Sequence, residues 1–158
     1  MKLREIMSDN VVRIHPEEPV SVAARALARY NIGALPVCGS DGRLQGVVTD
    51  RDLVTRCIAA GRSPEGTSVK ALMTSGVTAA AADMEASEAA KLMAQQQIRR
   101  LPIVENGRLV GVVSLGDLIR TSACDEEAGR ALAKITDNVS NRGNHTLEDA
   151  TKINGEIC

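Results

Sequence analysis

Between Ser21 and about Asn31 the apolar residues Val22, Ala23, Ala26, Leu27 and Tyr30 recur at helical spacing, with Arg25 and Arg29 on the opposite face. This pattern predicts an amphipathic helix. A short extended stretch is expected before it, from Val11 to Ile14, and a strand after it, from Leu35 to Cys38. Pro36 lies near the start of that strand, where a missing donor is tolerated. Gly39-Ser40-Asp41-Gly42 reads as a hairpin turn. The next strand, Leu44 to Val48, is nearly all apolar and is expected to be buried. A second helix is expected after Thr49, with Leu53, Val54, Cys57 and Ile58 on its buried face.

The same series then repeats. Residues 42–53, GRLQGVVTDRDL, return as residues 107–118, GRLVGVVSLGDL, differing only at Gln45/Val110, Thr49/Ser114, Asp50/Leu115 and Arg51/Gly116. Ile32 to Val37 return as Ile98 to Ile103, Ile6-Met7-Ser8 as Leu72-Met73-Thr74, and Ser21 to Ala24 as Ser87 to Ala90. The second copy carries its own extended stretch (Val77 to Ala80), helix (Ala89, Ala90, Leu92 and Met93 against Lys91 and Gln95), turn (Glu105-Asn106-Gly107) and strand (Leu109 to Val113). Chance cannot produce such colinear agreement, so the chain is internally duplicated. Each unit reads β-α-β-β-α. A unit of about 60 residues has a marginal core by itself, so the two are expected to pack about a pseudo-twofold axis. The expected fold class is mixed α/β (α+β), with repeats at 3–62 and 69–123 and a C-terminal helical tail at 124–158.

Composition narrows the classes. The 158 residues are 44% hydrophobic, yet hold one Tyr and no Phe or Trp, so the core must be aliphatic and any flat ligand must lie between aliphatic side chains. A net charge of −1 and a pI near 6.1 supply no field for nucleic acid or an anionic membrane. No apolar run approaches the ~20 residues of a membrane helix, and the N-terminus lacks a signal-peptide stretch. The expected location is the cytoplasm. Cys38, Cys57, Cys124 and Cys158 show no C-x-x-C spacing.

The repeated Gly-Val-Val-Thr/Ser-x-x-Asp element invites a functional reading. Gly46 and Gly111 allow close approach of a backbone or a ligand. Thr49 and Ser114 present hydroxyls at helix N-termini, where free N–H groups favour an anion, and Asp52 and Asp117 can accept hydrogen bonds from both hydroxyls of a ribose diol. The competing reading is a capping box, in which hydroxyl and acid serve only the helix start; Asp is short for that reach. Both readings stand together, since one hydroxyl can cap and also touch a ligand.

With these motifs in order, twice, residues 3–123 resemble a tandem pair of cystathionine-β-synthase (CBS) domains, a Bateman module, and within that family short stand-alone bacterial pairs, some tied to stress or hypoxic responses. The resemblance implies a cleft with up to two pseudosymmetric sites for adenine derivatives: AMP, ADP, ATP or S-adenosylmethionine, with AMP or ATP the leading ligand. It places Thr49 and Asp52 in one site and Ser114 and Asp117 in the other. Arg100, with Arg99 beside it, would hold phosphate where the first repeat has Gly33 and Ala34; the plainer reading of this pair is a solvated surface. Ile32, Ala34, Ile98, Val12 and Thr78 would line the base pockets. Leu115-Gly116 in place of Asp50-Arg51 adds to the expectation of unequal sites. The resemblance also implies a homodimer, and output is expected to pass through self-association or an unidentified protein partner.

No nucleophile–base pair or paired acids suggest catalysis, and no cofactor is required. Cys57 and Cys38 read as packing residues. His15 reads as a hydrogen-bonded surface residue or a ligand contact. With Cys124, His145 and Cys158 it is a weak candidate for a metal or redox site that no spacing supports, so no metal is expected. Ala128, Leu132 and Ile135 share one face of a tail helix opening at Asp125, which would fold on the cleft or on a second subunit. Asn138 to Asn144 then break that helix. The leading expectation is a non-catalytic adenosyl-ligand sensor. The alternative is a structural or interaction stress protein without nucleotide binding, responding to redox state or metal through the tail.

Overall fold

The computed structural model describes residues 1–121, 129–130 and 133–135. Helix α1 (Val20–Tyr30) is followed by β1 (Ala34–Cys38), β2 (Leu44–Thr49) and α2 (Asp50–Asp52), which runs on in wider π-helical turns over Leu53–Ile58. Then come α3 (Val69–Leu72), β3 (Ala80–Ala81), α4 (Ala86–Gln96), β4 (Arg100–Glu105), β5 (Arg108–Ser114) and α5 (Leu115–Arg120). The mixed α/β fold with two repeats is the one expected. β1 and β2 form an antiparallel hairpin with Ala34 opposite Thr49, and β4 and β5 form its twin with Arg100 opposite Ser114. β3 runs parallel to β4, Ala80 opposite Ile103. The first repeat keeps this strand at one residue: Ile14 N–H donates to the Pro36 carbonyl (3.0 Å), and Cys38 N–H to that of Ile14 (2.9 Å). The first extended stretches are thus shorter than expected. Val11 turns its amide onto Asp9 O (3.0 Å), and Pro16 has none to give.

The repeats do not fold side by side as closed units; each begins in the other. Leu3, from the leader of the first, is fully buried in the core of the second, among Met93, Leu101, Ile103 and Leu118. Val69 and Leu72, from the leader of the second, are fully buried in the core of the first, among Val20, Leu35, Val37 and Val48. Ser8 and Val112 exchange two backbone hydrogen bonds (both 3.0 Å), as do Thr74 and Val47 (2.9 and 3.0 Å). The Met1 carbonyl accepts from Ala86 N–H and that of Thr67 from Val20 N–H (both 2.9 Å), each satisfying a free donor at the start of a helix. Arg43 and Arg108, equivalent in the two copies, pair with each other, so the pseudo-twofold axis passes between them.

Gly46 and Gly111 are where these leaders cross the strands. A Cβ on Gly46 would lie 2.6 Å from Thr74 O and 2.9 Å from Met73 Sδ. One on Gly111 would lie 2.6 Å from Met7 Sδ and 3.1 Å from Ser8 O. The close approach these glycines permit is made by backbone and methionine.

Three burial expectations are corrected. Val54 and Ile58 are 59% and 61% exposed, although Leu53 and Cys57 are buried; one i, i+4 row faces the core and its neighbour does not. Tyr30 is 52% exposed, with the Arg29 guanidinium 5.9 Å from its ring centroid. β2 alternates, with Val48 buried and Gln45 exposed, as a strand covered on one face must. In the tail, 129–130 and 133–135 are helical and Ile135 is buried in the second repeat's core. Ala128, Leu132 and the helix-breaking run from Asn138 lie outside the described residues. No helix among the described residues is long and apolar enough to cross a membrane.

Gly46→Ala and Gly111→Ala are each expected to lower unfolding free energy by about 1–3 kcal/mol through overpacking. Gly66→Ala, whose Cβ would meet only Ser63 at 3.6 Å, should be near neutral; urea midpoints check all three. The leader is also held by charge. Glu85 accepts from Lys2 Nζ (2.8 Å) and the terminal amine (2.9 Å), and the hydrogen bond from Lys2 leads in lowering its carboxyl to about 2. Because the folded value is depressed, this contribution is present above the ordinary 4.5 and is lost as pH falls toward about 2. The gap in urea midpoint between wild type and Glu85→Gln should therefore close across that window and be constant above it.

Candidate ligand site at the two strand ends

The residues singled out by the repeat sit where each hairpin's second strand turns into a helix. Thr49 Oγ1 accepts from Asp52 N–H (3.1 Å), and Asp52 Oδ2 accepts from Thr49 N–H (2.9 Å). Ser114 Oγ accepts from Asp117 N–H (3.1 Å), and Asp117 Oδ2 accepts from Ser114 N–H (2.8 Å) and from the Ser114 hydroxyl (2.6 Å). Both are complete capping boxes, so the aspartate does make the reach. Its other oxygen faces an arginine absent from the expected set: Arg56 Nε is 3.7 Å from Asp52 Oδ1, and Arg120 pairs with Asp117 Oδ1. The i, i+4 and i, i+3 spacings could have flagged both arginines. A ligand diol would have to share these carboxylates with the caps or displace arginines that are themselves mostly exposed, a modest cost.

Next to each capped helix start lies the helix-to-strand turn before β1 or β4. α1 ends at Asn31 (φ 52°) and α4 at Gln97 (φ 58°), both left-handed. Ile32 and Ile98 then return N–H groups to Leu27 O and Met93 O (3.1 Å each). Ile32, Val12 and Ile98 are half-buried and pack against their own repeat's core, while Ala34 and Thr78 are half-buried. Turn and helix start are tied by Asp50 N–H to Gly33 O (3.1 Å) in the first repeat and by Leu115 N–H to Arg99 O (2.9 Å) in the second.

Those ties expose the difference between the sites. In the first, Gly33 faces a carboxylate: its Cβ would lie 3.5 Å from Asp50 Oδ2. In the second, Arg99 is tied to apolar Leu115, and Arg100 stands opposite Ser114 in the β4–β5 register. The second strand end therefore carries two arginines where the first has Gly33 and Ala34, and the first carries Asp50 and Arg51 where the second has Leu115 and Gly116. Arg99 and Arg100 are exposed and form no ion pair among the described residues.

His15 accepts Glu17 N–H at Nδ1 (3.3 Å) and lies 3.2 Å from Ser40 Oγ through Nε2. Cys38 and Cys57 are buried, free thiols, and burial pushes the Cys38 thiol up, against nucleophilic use. Cys124, His145 and Cys158 lie outside the described residues. Among the described residues no three His, Cys, Asp or Glu side chains gather as a metal would require. A cavity of about 280 Å³ lies on the α1 and α2 side of the first repeat, lined by Val20, Leu27, Leu53, Val54 and Ile58 and reached by Asp50 from within the Thr49–Asp52 box; neither Thr49 nor Asp52 lines it.

The CBS domain model matches this chain twice, over residues 3–58 and 69–123. The chain belongs to the CBS-domain family. CBS domain-containing protein YhcV of Bacillus subtilis is 39% identical over 134 residues, 85% of this chain and 94% of that protein. Hypoxic response protein 1 of Mycobacterium tuberculosis is 36% identical over 117 residues, 74% and 82% of the two chains. Among solved structures, Hypoxic Response Protein I with two coordinated zinc ions superposes with a TM-score of 0.71 at 35% identity, covering 76% of this chain and 98% of its own. CBSX2 in complex with AMP gives 0.66 at 27%, covering 75% and 93%. The CBS pair of MJ0100 with 5'-methylthioadenosine and S-adenosyl-L-methionine gives 0.67 at 26%, covering 76% and 94%.

Removing a cap from either CBS repeat, by Thr49→Ala or Ser114→Ala, should lower stability by about 1 kcal/mol, read from urea denaturation without ligand.

Proposed function

We propose that this CBS pair is a non-catalytic sensor that binds an adenosyl ligand between its repeats, with the phosphate end at the second strand end. The observation that carries this reading is the register pairing of Arg100 with Ser114, which puts an exposed arginine across the hairpin from a helix-capping residue, with Arg99 next to it in sequence. A guanidinium fork suits phosphate because it offers parallel donors. Support for adenosyl chemistry comes from the CBSX2 complex with AMP and the MJ0100 complex with 5'-methylthioadenosine and S-adenosyl-L-methionine. The first site, with Asp50 beside Gly33 and no arginine at the places of Arg99 and Arg100, suits a less charged adenosyl group. Ile32, Ala34 and Val12 line the base in the first site and Ile98 and Thr78 in the second, and Asp52 and Asp117 take the ribose hydroxyls. Since each repeat begins in the other, a ligand bridging the two strand ends would tighten both cores together, and that rigidification is the signal passed to a partner.

The test is a thermal-shift and calorimetric panel of AMP, ADP, ATP, S-adenosylmethionine, adenosine and zinc; zinc is included because the Hypoxic Response Protein I structure holds two such ions. A ligand at about 100 times its Kd adds about 2.7 kcal/mol of stability. Arg100→Ala should weaken AMP by roughly 10- to 100-fold, the worth of a charged hydrogen bond, while leaving adenosine unchanged. No response to any adenosyl ligand would overturn the proposal, and a response to zinc alone would favour the stress protein that lacks nucleotide binding.

A further inference from the structure

The carboxylate of the first strand end is connected to more than its own capping box. Arg56 stands with Nε 3.7 Å from Asp52 Oδ1 and donates from Nη1 to the Leu72 carbonyl (3.0 Å). Leu72 closes α3 in the leader of the second repeat and is fully buried in the first repeat's core. Its carbonyl is one that a short helix leaves without an internal partner. Two residues on, Thr74 exchanges backbone hydrogen bonds with Val47 where the leader crosses β2. One guanidinium therefore faces the candidate ribose acceptor and holds the segment that joins the repeats. It stands in the π-helical turns over Leu53–Ile58, at i+4 from Asp52, and π turns inserted in α-helices recur at functional sites. The second repeat differs. Its α5 is a regular helix, and Arg120 pairs with Asp117 at i+3. Thr121 takes the place of Arg56 and returns its hydroxyl to Leu118 O (2.8 Å). Among the described residues Arg120 makes no hydrogen bond to a leader.

From this asymmetry we infer that Arg56 is a positioning residue that makes ligand binding at Asp52 and seating of the second repeat's leader a single event, so that a ligand at the first strand end, and not one at the second, is transmitted between the repeats. The inference rests on the adenosyl reading above. Asp52 Oδ2 is committed to the Thr49 amide, while Oδ1 stands beyond hydrogen-bond distance of Arg56 Nε. A ribose hydroxyl that donates to Oδ1 can accept from that N–H, because a hydroxyl carries one donor and two lone pairs. Such a bridge leaves the Nη1 bond to Leu72 in place, and the planar guanidinium moves its donors as one rigid fork. Asp52 is largely buried and Arg56 half exposed, so the carboxylate is the fixed partner and the arginine the one that gains order. An arginine already ordered by ligand loses less entropy when the leader seats, which couples the two without a change of shape. By linkage, the seated leader raises ligand affinity by the same factor.

Amide hydrogen exchange on the full chain tests this at Val47 and Thr74, with Ser8 and Val112 at the other crossing as the internal reference. Without ligand, Arg56→Gln should speed exchange at Val47 and Thr74 by about 3- to 10-fold, the loss of one hydrogen bond from a half-exposed group, and at Ser8 and Val112 by less. Saturating adenosine, or S-adenosylmethionine if adenosine does not bind, should slow Val47 and Thr74 in the wild type by a similar factor. In Arg56→Gln that slowing should vanish while calorimetry still shows the ligand bound. Arg120→Gln, the matching change at the second strand end, should keep it. An arginine with a merely structural role would shift the ligand-free rates and leave the slowing intact. That result, unchanged ligand-free rates, a variant that no longer binds, or loss of the slowing in Arg120→Gln would each overturn the inference and spare the ligand site. Binding of phosphorylated ligands alone would do the same, since the first strand end would then be empty. A wild type blind to every adenosyl ligand would remove the ligand reading, and this coupling with it.

Discussion

Two pairs of backbone hydrogen bonds, Ser8 with Val112 and Thr74 with Val47, fasten each repeat's leader across the other repeat's second strand. Leu3 and Val69 follow them into the opposite cores, where both are fully buried. A buried aliphatic side chain of this kind contributes about 1.5–3 kcal/mol. Neither repeat can therefore keep its core if the other unfolds. The glycines of the repeated motif follow from the same crossing, since any side chain at Gly46 or Gly111 would strike the leader. What reads in sequence as a binding-loop glycine is first a device for holding the repeats together.

The same economy governs the aspartates. Each capping box closes on its own strand end, and each leaves the far carboxylate oxygen to an arginine one turn along the helix. Helix starts and ligand contacts are built from one set of atoms. The two strand ends diverge through neighbours outside the boxes: Asp50 against Gly33 in one, Arg99 and Arg100 beside Leu115 and Ser114 in the other. A duplicated fold thus carries different charge at equivalent places, as expected when backbone geometry is held by the cores and the exposed rim is free to vary.

The duplication, the hairpins, the amphipathic helices and the capped turns after Thr49 and Ser114 were all legible in the chain, because each rests on spacing within a few residues. Local hydrogen-bond and side-chain periodicity suffices to specify them. Arg56 and Arg120, one helical turn from their aspartates, were within the same reach but less conspicuous than the repeated motif. The exposure of Val54 and Ile58 was not legible: their spacing matches that of Leu53 and Cys57, and only the placement of α1 beside them decides which row is covered. The destination of Leu3 and Val69 was equally hidden, since an apolar leader reads the same whether it closes its own core or its neighbour's. Contacts between residues far apart in the chain depend on which surfaces meet, and that was decided by the packing of two half-stable units. Pattern along the backbone determined what the pieces are; tertiary structure decided which piece completes which core and which apolar face is left open.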